Sequence, residues 1–319
     1  MRRLALGSTE IEISAVIMGT WQTGKAMWSG IEDKESLRAI KAAFDAGITT
    51  FDTAEAYGNG HSERILGQGL AGIRDKVVIA SKVFSNHLAH NAVITACERS
   101  LRNLGTDYID LYQIHWPPGS FGHPKVPLEE PLGALMALKE QGKIRAIGVS
   151  NFDRGLIEAA RAHAPIESLQ PPYSLFWRSM EKETLTWCRE EGIATLAYSP
   201  MAQGILTGKF GPDPQFAKGD HRKDNRLFQP EIYPSVLGAL DRLRPIAAEL
   251  DITLAQLALA WVIAQPNTGA IAGARSADQA SANAAAMAVE LDAETLTEMD
   301  AISRTVTDKL DANPVQWQW

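Results

Sequence analysis

Cysteine is almost missing from this chain: two residues in 319, Cys97 and Cys188. Neither sits at a metal-ligand spacing, so a disulfide scaffold and a cysteine-built zinc site are both excluded. Both fall in helix-like stretches and are expected to be reduced, half-buried packing residues. Long apolar runs are missing too, with none near the roughly 20 residues of a membrane span. The opening stretch Met1–Ser14 lacks the apolar core of a signal peptide, so a cytoplasmic location is expected. There is no basic excess either: 31 Lys and Arg stand against 38 Asp and Glu, a net charge of -7 spread along the chain. Nucleic acids and anionic membranes reward a basic stripe, so neither is expected as a partner. His61, His87, His90, His123 and His163 show no metal spacing. They read as surface or loop residues, and no metal is expected.

What the chain does have is rhythm. Short apolar runs alternate with longer amphipathic stretches over nearly its whole length. Read as strands, the runs are Ala15–Met18, Thr49–Phe51, Val77–Ala80, Ile109–Ile114, Ile144–Val149, Glu167–Leu169, Ala194–Ala197 and Gly269–Ala272. Helix candidates lie between them. The clearest is Thr253–Gln265, where Leu254, Leu257, Ala258, Trp261 and Val262 share a face, Thr253 suits an N-cap and Pro266 a stop. Strands separated by helices imply parallel pairing, and eight such units can close a barrel. The rival doubly wound sheet needs a Gly-rich turn after its first strand, and Gly19–Trp21 is not one. The expected fold is α/β, a (β/α)8 TIM barrel forming one domain over residues 1–319. Arg2–Leu6 and Ile11–Ser14 read as a hairpin plugging its bottom. Two long connections, Trp116–Pro131 and Ser199–Pro234, belong at the opposite, C-terminal face, and loops of that length are often functional.

In such a barrel the chemistry gathers where the strands end. Walking those ends gives Asp52, Lys82, His115, Ser150 with Asn151, Gln170, Tyr198 and Arg275. Each is polar or ionisable and follows an apolar run. One would mean little, but seven strand ends converging on one mouth point to a built site.

The residues around these positions carry a resemblance. FDTAEAYGNGHSERILGQGL at Phe51–Leu70 is similar to the aldo-keto reductase signature. SKV around Lys82, LYQIHW around His115, GVSNF at Gly148–Phe152, QPPYSLF at Gln170–Phe176, AYSPMAQGILTGKF at Ala197–Phe210 and AGARSADQASAN at Ala272–Asn283 resemble further blocks of that family. The similarity spans nearly the whole chain and is nearest to bacterial monomeric reductases of the general-stress type, so a monomer is expected. The loop after His115 and the C-terminal tail depart from the pattern.

The resemblance implies an enzyme that reduces carbonyl compounds with NADPH through a catalytic tetrad of Asp52, Tyr57, Lys82 and His115. Elementary chemistry agrees. Carbonyl reduction needs a proton on oxygen as well as a hydride on carbon. A phenol has a free pKa near 10, so at neutral pH it is a protonated but reluctant donor. A neighbouring ammonium stabilises the phenolate and makes the donor better. Asp52 would keep a buried Lys82 charged, and His115 would hydrogen-bond and orient the carbonyl oxygen.

For the cofactor, the resemblance assigns Ser150, Asn151 and Gln170 to the nicotinamide carboxamide and Tyr198 to stacking on the ring. Gly19, Thr20, Trp21 and Asp52 line it, as do Ser199, Pro200, Met201, Gln203, Gly204 and Leu206 of the long loop. Lys209 and Arg222 resemble pyrophosphate contacts. Gly273 and Arg275 open the last helix, where a helix N-terminus and a guanidinium both favour phosphate. In the family this position faces the adenosine 2′-phosphate, with Gln279 and Asn283 toward the adenine. The expected cofactor is NADPH.

Trp21, Trp28, Tyr57 and Trp116 form the expected pocket for a small carbonyl substrate, with Met27 and Phe121 nearby. Trp317 and Trp319 in the tail are candidates for a lid. An alternative is a barrel that keeps NADPH only as a regulatory binding module, but the intact tetrad speaks against it. A metal-dependent hydrolase would need several ligands at the strand ends, where His115 stands nearly alone.

Overall fold

The computed structural model describes residues 1–25, 28, 30–216 and 220–311. Met27, Trp317 and Trp319 lie outside the described residues. The chain opens with an antiparallel hairpin, β1 (Arg3–Ala5) and β2 (Glu12–Ser14). Eight parallel strands follow: β3 (Val16–Gly19), β4 (Thr50–Asp52), β5 (Val78–Val83), β6 (Ile109–Ile114), β7 (Ile144–Ser150), β8 (Ser168–Gln170), β9 (Ala194–Tyr198) and β10 (Thr268–Gly273). They close into a barrel in chain order, β10 pairing with β3 through Gly273 and Gly19. The expected (β/α)8 TIM barrel with its hairpin is the observed fold.

The crossovers are α1 (Asp33–Asp45), α2 (His61–Gly69), α3 (His90–Leu104), α4 (Glu129–Glu140), α5 (Arg154–Arg161) and α6 (Thr186–Glu190). Then come α7 (Tyr233–Glu249) and α8 (Leu254–Ala264), with α9 (Ala277–Ala285) and α10 (Ala293–Thr307) after the last strand. Thr253 caps α8 through a reciprocal box with Gln256, which satisfies two otherwise orphaned donors. The helix buries more than one face: Leu259, Ala260 and Ile263 are covered as well. It is wedged between the barrel and its neighbours. No single helix among the described residues is long and apolar enough to cross a membrane.

Strand limits differ from the sequence reading in one systematic way. Apolarity stops before the strand does. Asp52, Ser150, Gln170 and Tyr198 are themselves the last residues of their strands, and β5 runs on through Lys82 to Val83. Their backbones stay in the ladder, with Asp52 opposite Gly19 and Lys82 opposite Gln113. Both long loops end slightly early, because Pro131 and Pro234 sit in the first turns of α4 and α7, where the missing N–H costs nothing.

Side chains two apart on a strand share a face, and this sorts the barrel interior into layers. Ile17, Ala80, Leu111, Ala146, Ala194, Leu196 and Ile271 form an apolar cluster with Leu6, Ile11 and Ile13 of the hairpin segment. The hairpin does plug that end. Two residues further along the same strands come Gly19, Lys82, Gln113, Gly148, Tyr198 and Gly273. The polar layer is the mouth. Cys97 on α3 and Cys188 on α6 are fully buried rather than half-buried. Burial pushes each thiol up to about 12, so both are inert packing residues.

Candidate active site

The mouth holds a cavity of about 770 Å³, within the usual range for small-ligand sites. Lys82 sits under its wall with no exposed side chain. Its Nζ donates to Asp52 Oδ1 at 2.6 Å, to the Thr53 carbonyl at 2.8 Å and to Tyr57 Oη at 3.3 Å. Gln170 Nε2 donates to the other Asp52 oxygen at 2.9 Å. The His115 ring stands edge-on to Tyr57, with centroids 5.6 Å apart. The four residues expected to act together do converge.

Their protonation states follow from the surroundings. Burial, and then the Asp52 charge, push the Tyr57 phenol well above 10, so it holds its proton at neutral pH. Burial, and then the Lys82 charge, push His115 well below 6.5, so the ring is neutral. Burial pulls Lys82 down, while Asp52 opposes it by charge and hydrogen bond. A neutral donor, a neutral ring and a paired ammonium result.

The turn carrying Tyr57 is fixed from two sides. Gly58 has φ +63°, and a Cβ there would come within 2.1 Å of the Gly24 carbonyl. The loop after β3 thus lies directly against the turn after β4, an approach that only glycine permits. On the other side, the buried Glu55 carboxylate accepts from Phe84 N at 2.8 Å and His87 Nδ1 at 3.0 Å, and pairs with Arg99. His87 is therefore a link in this clamp rather than an ordinary loop histidine. His123 likewise bonds Ser85 Oγ at 2.8 Å.

Beside the tetrad, Ser150 Oγ donates to the Gln170 carbonyl at 2.8 Å and Asn151 Nδ2 to the His115 carbonyl at 3.1 Å. Tyr198 Oη donates to Asn151 Oδ1 at 2.8 Å. All four of Ser150, Asn151, Gln170 and Tyr198 line the cavity. At its far end are Lys209, Arg222 and Arg275. Arg222 pairs with Asp220 at 2.5 Å. Burial and mutual repulsion lower Lys209 and Arg275 below their ordinary values, the behaviour of a cluster suited to an anion. Ser276 caps α9, and Gln279 Oε1 accepts from Arg275 N at 2.9 Å. Asn283 Nδ2 donates to the Gly273 carbonyl at 3.2 Å.

Gly19, Trp21, Ser199, Pro200, Met201, Gln203, Gly204 and Gly273 also line the cavity. Ser199, Ala202 and Gln203 all have positive φ, strain of a kind that gathers at ligand clamps. Two expected contacts lie elsewhere. Thr20 is turned inward, its hydroxyl donating to the Asp52 carbonyl at 2.9 Å. Leu206 is packed into the core.

Trp21, Trp28, Tyr57, Trp116 and Phe121 all stand in the wall. Trp28 does more than expected: Arg275 and Arg222 lie over its ring at 5.0 and 5.7 Å, so it joins the aromatic and cationic ends. Several wall residues escaped the sequence reading, among them Phe84 and Gln22. Phe84 stacks on Phe121 at 5.4 Å and meets the His115 ring at 5.5 Å; its place two residues after Lys82 was the available signal. Gln22 lies beside Gly273, and its buried Oε1 has no partner. Among the described residues no group of three or more His, Cys, Asp or Glu is placed to hold a metal ion.

This architecture matches known proteins. The profile of the Aldo/keto reductase family matches residues 15–304. Aldo-keto reductase YhdN of Bacillus subtilis is 40% identical over 88% of this chain and 86% of its own length. An NADH-specific methylglyoxal reductase of Escherichia coli is 34% identical over 95% of this chain and all of its own. Among solved structures, the glycerol dehydrogenase AKR11B4 of Gluconobacter oxydans superposes with a TM-score of 0.88 at 34% identity, over 97% of both chains. An aldo-keto reductase of Klebsiella pneumoniae in complex with NADPH does so at 0.78 and 31%, over the full length of both. The chain belongs to the aldo/keto reductase family, and it is an oxidoreductase of carbonyl compounds.

Proposed function

We propose that this protein reduces small aldehydes and some ketones to alcohols with NADPH, and that Tyr57 gives the carbonyl oxygen its proton. The observation that carries the reading is the position of Lys82 Nζ, 2.6 Å from Asp52 and 3.3 Å from the Tyr57 hydroxyl. When bound, the cofactor supplies the hydride.

The cavity suits that group. Gln22 Oε1 and Gln203 Nε2 are buried polar atoms without partners in its wall, and such atoms favour a polar occupant. Ser150, Asn151 and Gln170 offer both donors and acceptors to a carboxamide. Tyr198 offers a flat face, and Lys209, Arg222 and Arg275 offer charge to phosphates. One relative is NADH-specific by name, so the preference for NADPH rests on these cations and above all on Arg275.

Tyr57 keeps its proton until a carbonyl oxygen begins to gather charge. The Lys82 ammonium then stabilises the phenolate left behind, and Asp52 holds that ammonium in place. Neutral His115 presents a ring nitrogen to the same oxygen and orients it. Trp21, Phe84 and Trp116 wall off water and make these interactions stronger. From the barrel pattern, the resemblance and the opening stretch of the sequence in turn, residues 1–319 act as one domain, a monomer, in the cytoplasm.

Tyr57→Phe tests the reading. It keeps the ring and removes only the hydroxyl, so NADPH affinity should stay near normal. Reduction of 4-nitrobenzaldehyde should slow by at least about 10²-fold, the low end of what a positioned general acid contributes. Turnover near the wild-type rate would overturn the assignment.

A further inference from the structure

A second cavity, of about 330 Å³, lies beside the first. Trp116 and Asn151 stand in the walls of both, so the two spaces adjoin at residues of the reaction chamber itself. Apolar surface comes from Leu156 of α5 and Met180, with Pro172 beyond β8. The polar groups are Ser179, Thr184, Asp153 and Glu183. No Lys, Arg or His lines it among the described residues. In charge it is the opposite of the arm where Lys209, Arg222 and Arg275 converge.

The carboxylates differ in what they already do. Asp153 Oδ1 accepts from Leu156 N at 2.8 Å and caps α5. Glu183 belongs to a π-helical turn, Glu181–Leu185, a local form that recurs at functional sites. Arg178 holds that turn through Glu181 at 2.8 Å. Arg154, on which the Glu183 charge acts, is committed to Glu158 at 2.8 Å and to the face of Trp187. Its guanidinium is not part of the cavity wall.

We infer that this side cavity receives the far end of extended substrates, and that it selects tails bearing a cation or hydroxyl donors over tails bearing a carboxylate or phosphate. The inference rests on the proposed carbonyl reduction, because it places the reacting carbonyl in the first chamber and runs the tail past Trp116. Hydroxyls at Ser179 and Thr184 and the Glu183 carboxylate accept from donors. An anionic tail meets two carboxylates and, among the described residues of the wall, no Lys, Arg or His.

The test compares kcat/KM for three aldehydes: propanal as a compact reference, 4-(trimethylammonio)butanal, and its chain-matched anion 5-oxopentanoate. The wild type should favour the cationic tail over the anionic one by at least about threefold, and Glu183→Gln should remove most of that ratio, since exposed charge pairs are worth roughly two- to fivefold. Leu156→Trp fills the cavity and should cut both extended substrates by at least about tenfold, with propanal unchanged. Ser179→Trp, at an exposed rim position, makes the same test if Leu156→Trp does not fold. Equal turnover of the two tails in the wild type, or a filling variant that slows all three substrates alike or none, overturns the inference. If the wild type fails to turn over 4-nitrobenzaldehyde at all, carbonyl reduction itself is wrong.

Discussion

The two ends of this barrel are made from the same strands and the same inward face, yet they obey different rules. At the lower end Leu6 and Ile13 are packed against Ile17, Leu111 and Leu196. Burying each such side chain stabilises the fold by roughly 1.5–3 kcal/mol. Two residues along, the same face carries Lys82 and Gln113, with no exposed surface. Lys82 is paired, but both amide atoms of Gln113 lack partners, as does Ser168 Oγ on β8. An arrangement like that is unfavourable by itself. It persists because the apolar layer below over-determines where each strand goes. The lower end stabilises, the upper end reacts, and a single pleat separates them.

The sharpest way to break that division is to weaken the lower end alone. Leu6→Ala removes a fully buried side chain and should lower unfolding stability by about 2–5 kcal/mol, read from urea titration. Turnover per folded molecule should not change. A parallel fall in kcat would show that the plug also sets the geometry of the mouth.

Arg275→Ala asks the reverse question at the upper end. Losing a charged hydrogen bond of roughly 1.5–3 kcal/mol should weaken NADPH by about 10- to 150-fold. NADH, without the 2′-phosphate, should bind almost as before, and urea stability should hold. Fluorescence quenching gives both dissociation constants. Equal weakening of both cofactors would make Arg275 a structural residue and remove the basis for preferring NADPH.

The same division explains what could be read in advance. The lower layer follows the rule that buried parallel strands are near-continuous apolar runs, so every barrel strand was legible to within a residue or so at its start. The ends were not. Lys82 and Tyr198 break apolarity while staying in the ladder, and a pattern read on hydrophobicity stops before them. Site residues with a family motif, such as Tyr57 and Arg275, were legible through it. Phe84 and Gln22 had no motif to announce them. The role of Glu55 appears only when Phe84, His87 and Arg99 arrive from elsewhere in the chain. Gln170 was read as a carboxamide contact, and its grip on Asp52 needs a partner 118 residues away.

The smallest expected effect separates the two ends by pH. His115 is held well below 6.5 by burial and by Lys82, whereas the unfolded chain protonates the same ring near 6.5. A depressed histidine contributes stability that is present above 6.5 and is lost as the pH falls toward its folded value. The slope is at most about 1.4 kcal/mol per pH unit for one group. The informative quantity is the stability of wild type minus that of His115→Asn, in which contributions common to both chains cancel, measured in urea at pH 7.5, 6.5, 5.5 and 5.0. It should be flat above pH 7 and should shrink as the pH drops below 6.5. Leu6→Ala supplies the control, because the side chain it removes carries no proton, and its difference from wild type should stay constant throughout. A flat difference for His115→Asn as well would mean that the ring is protonated as readily in the folded chain as in the unfolded one. The neutral ring assigned to the mouth would then be lost.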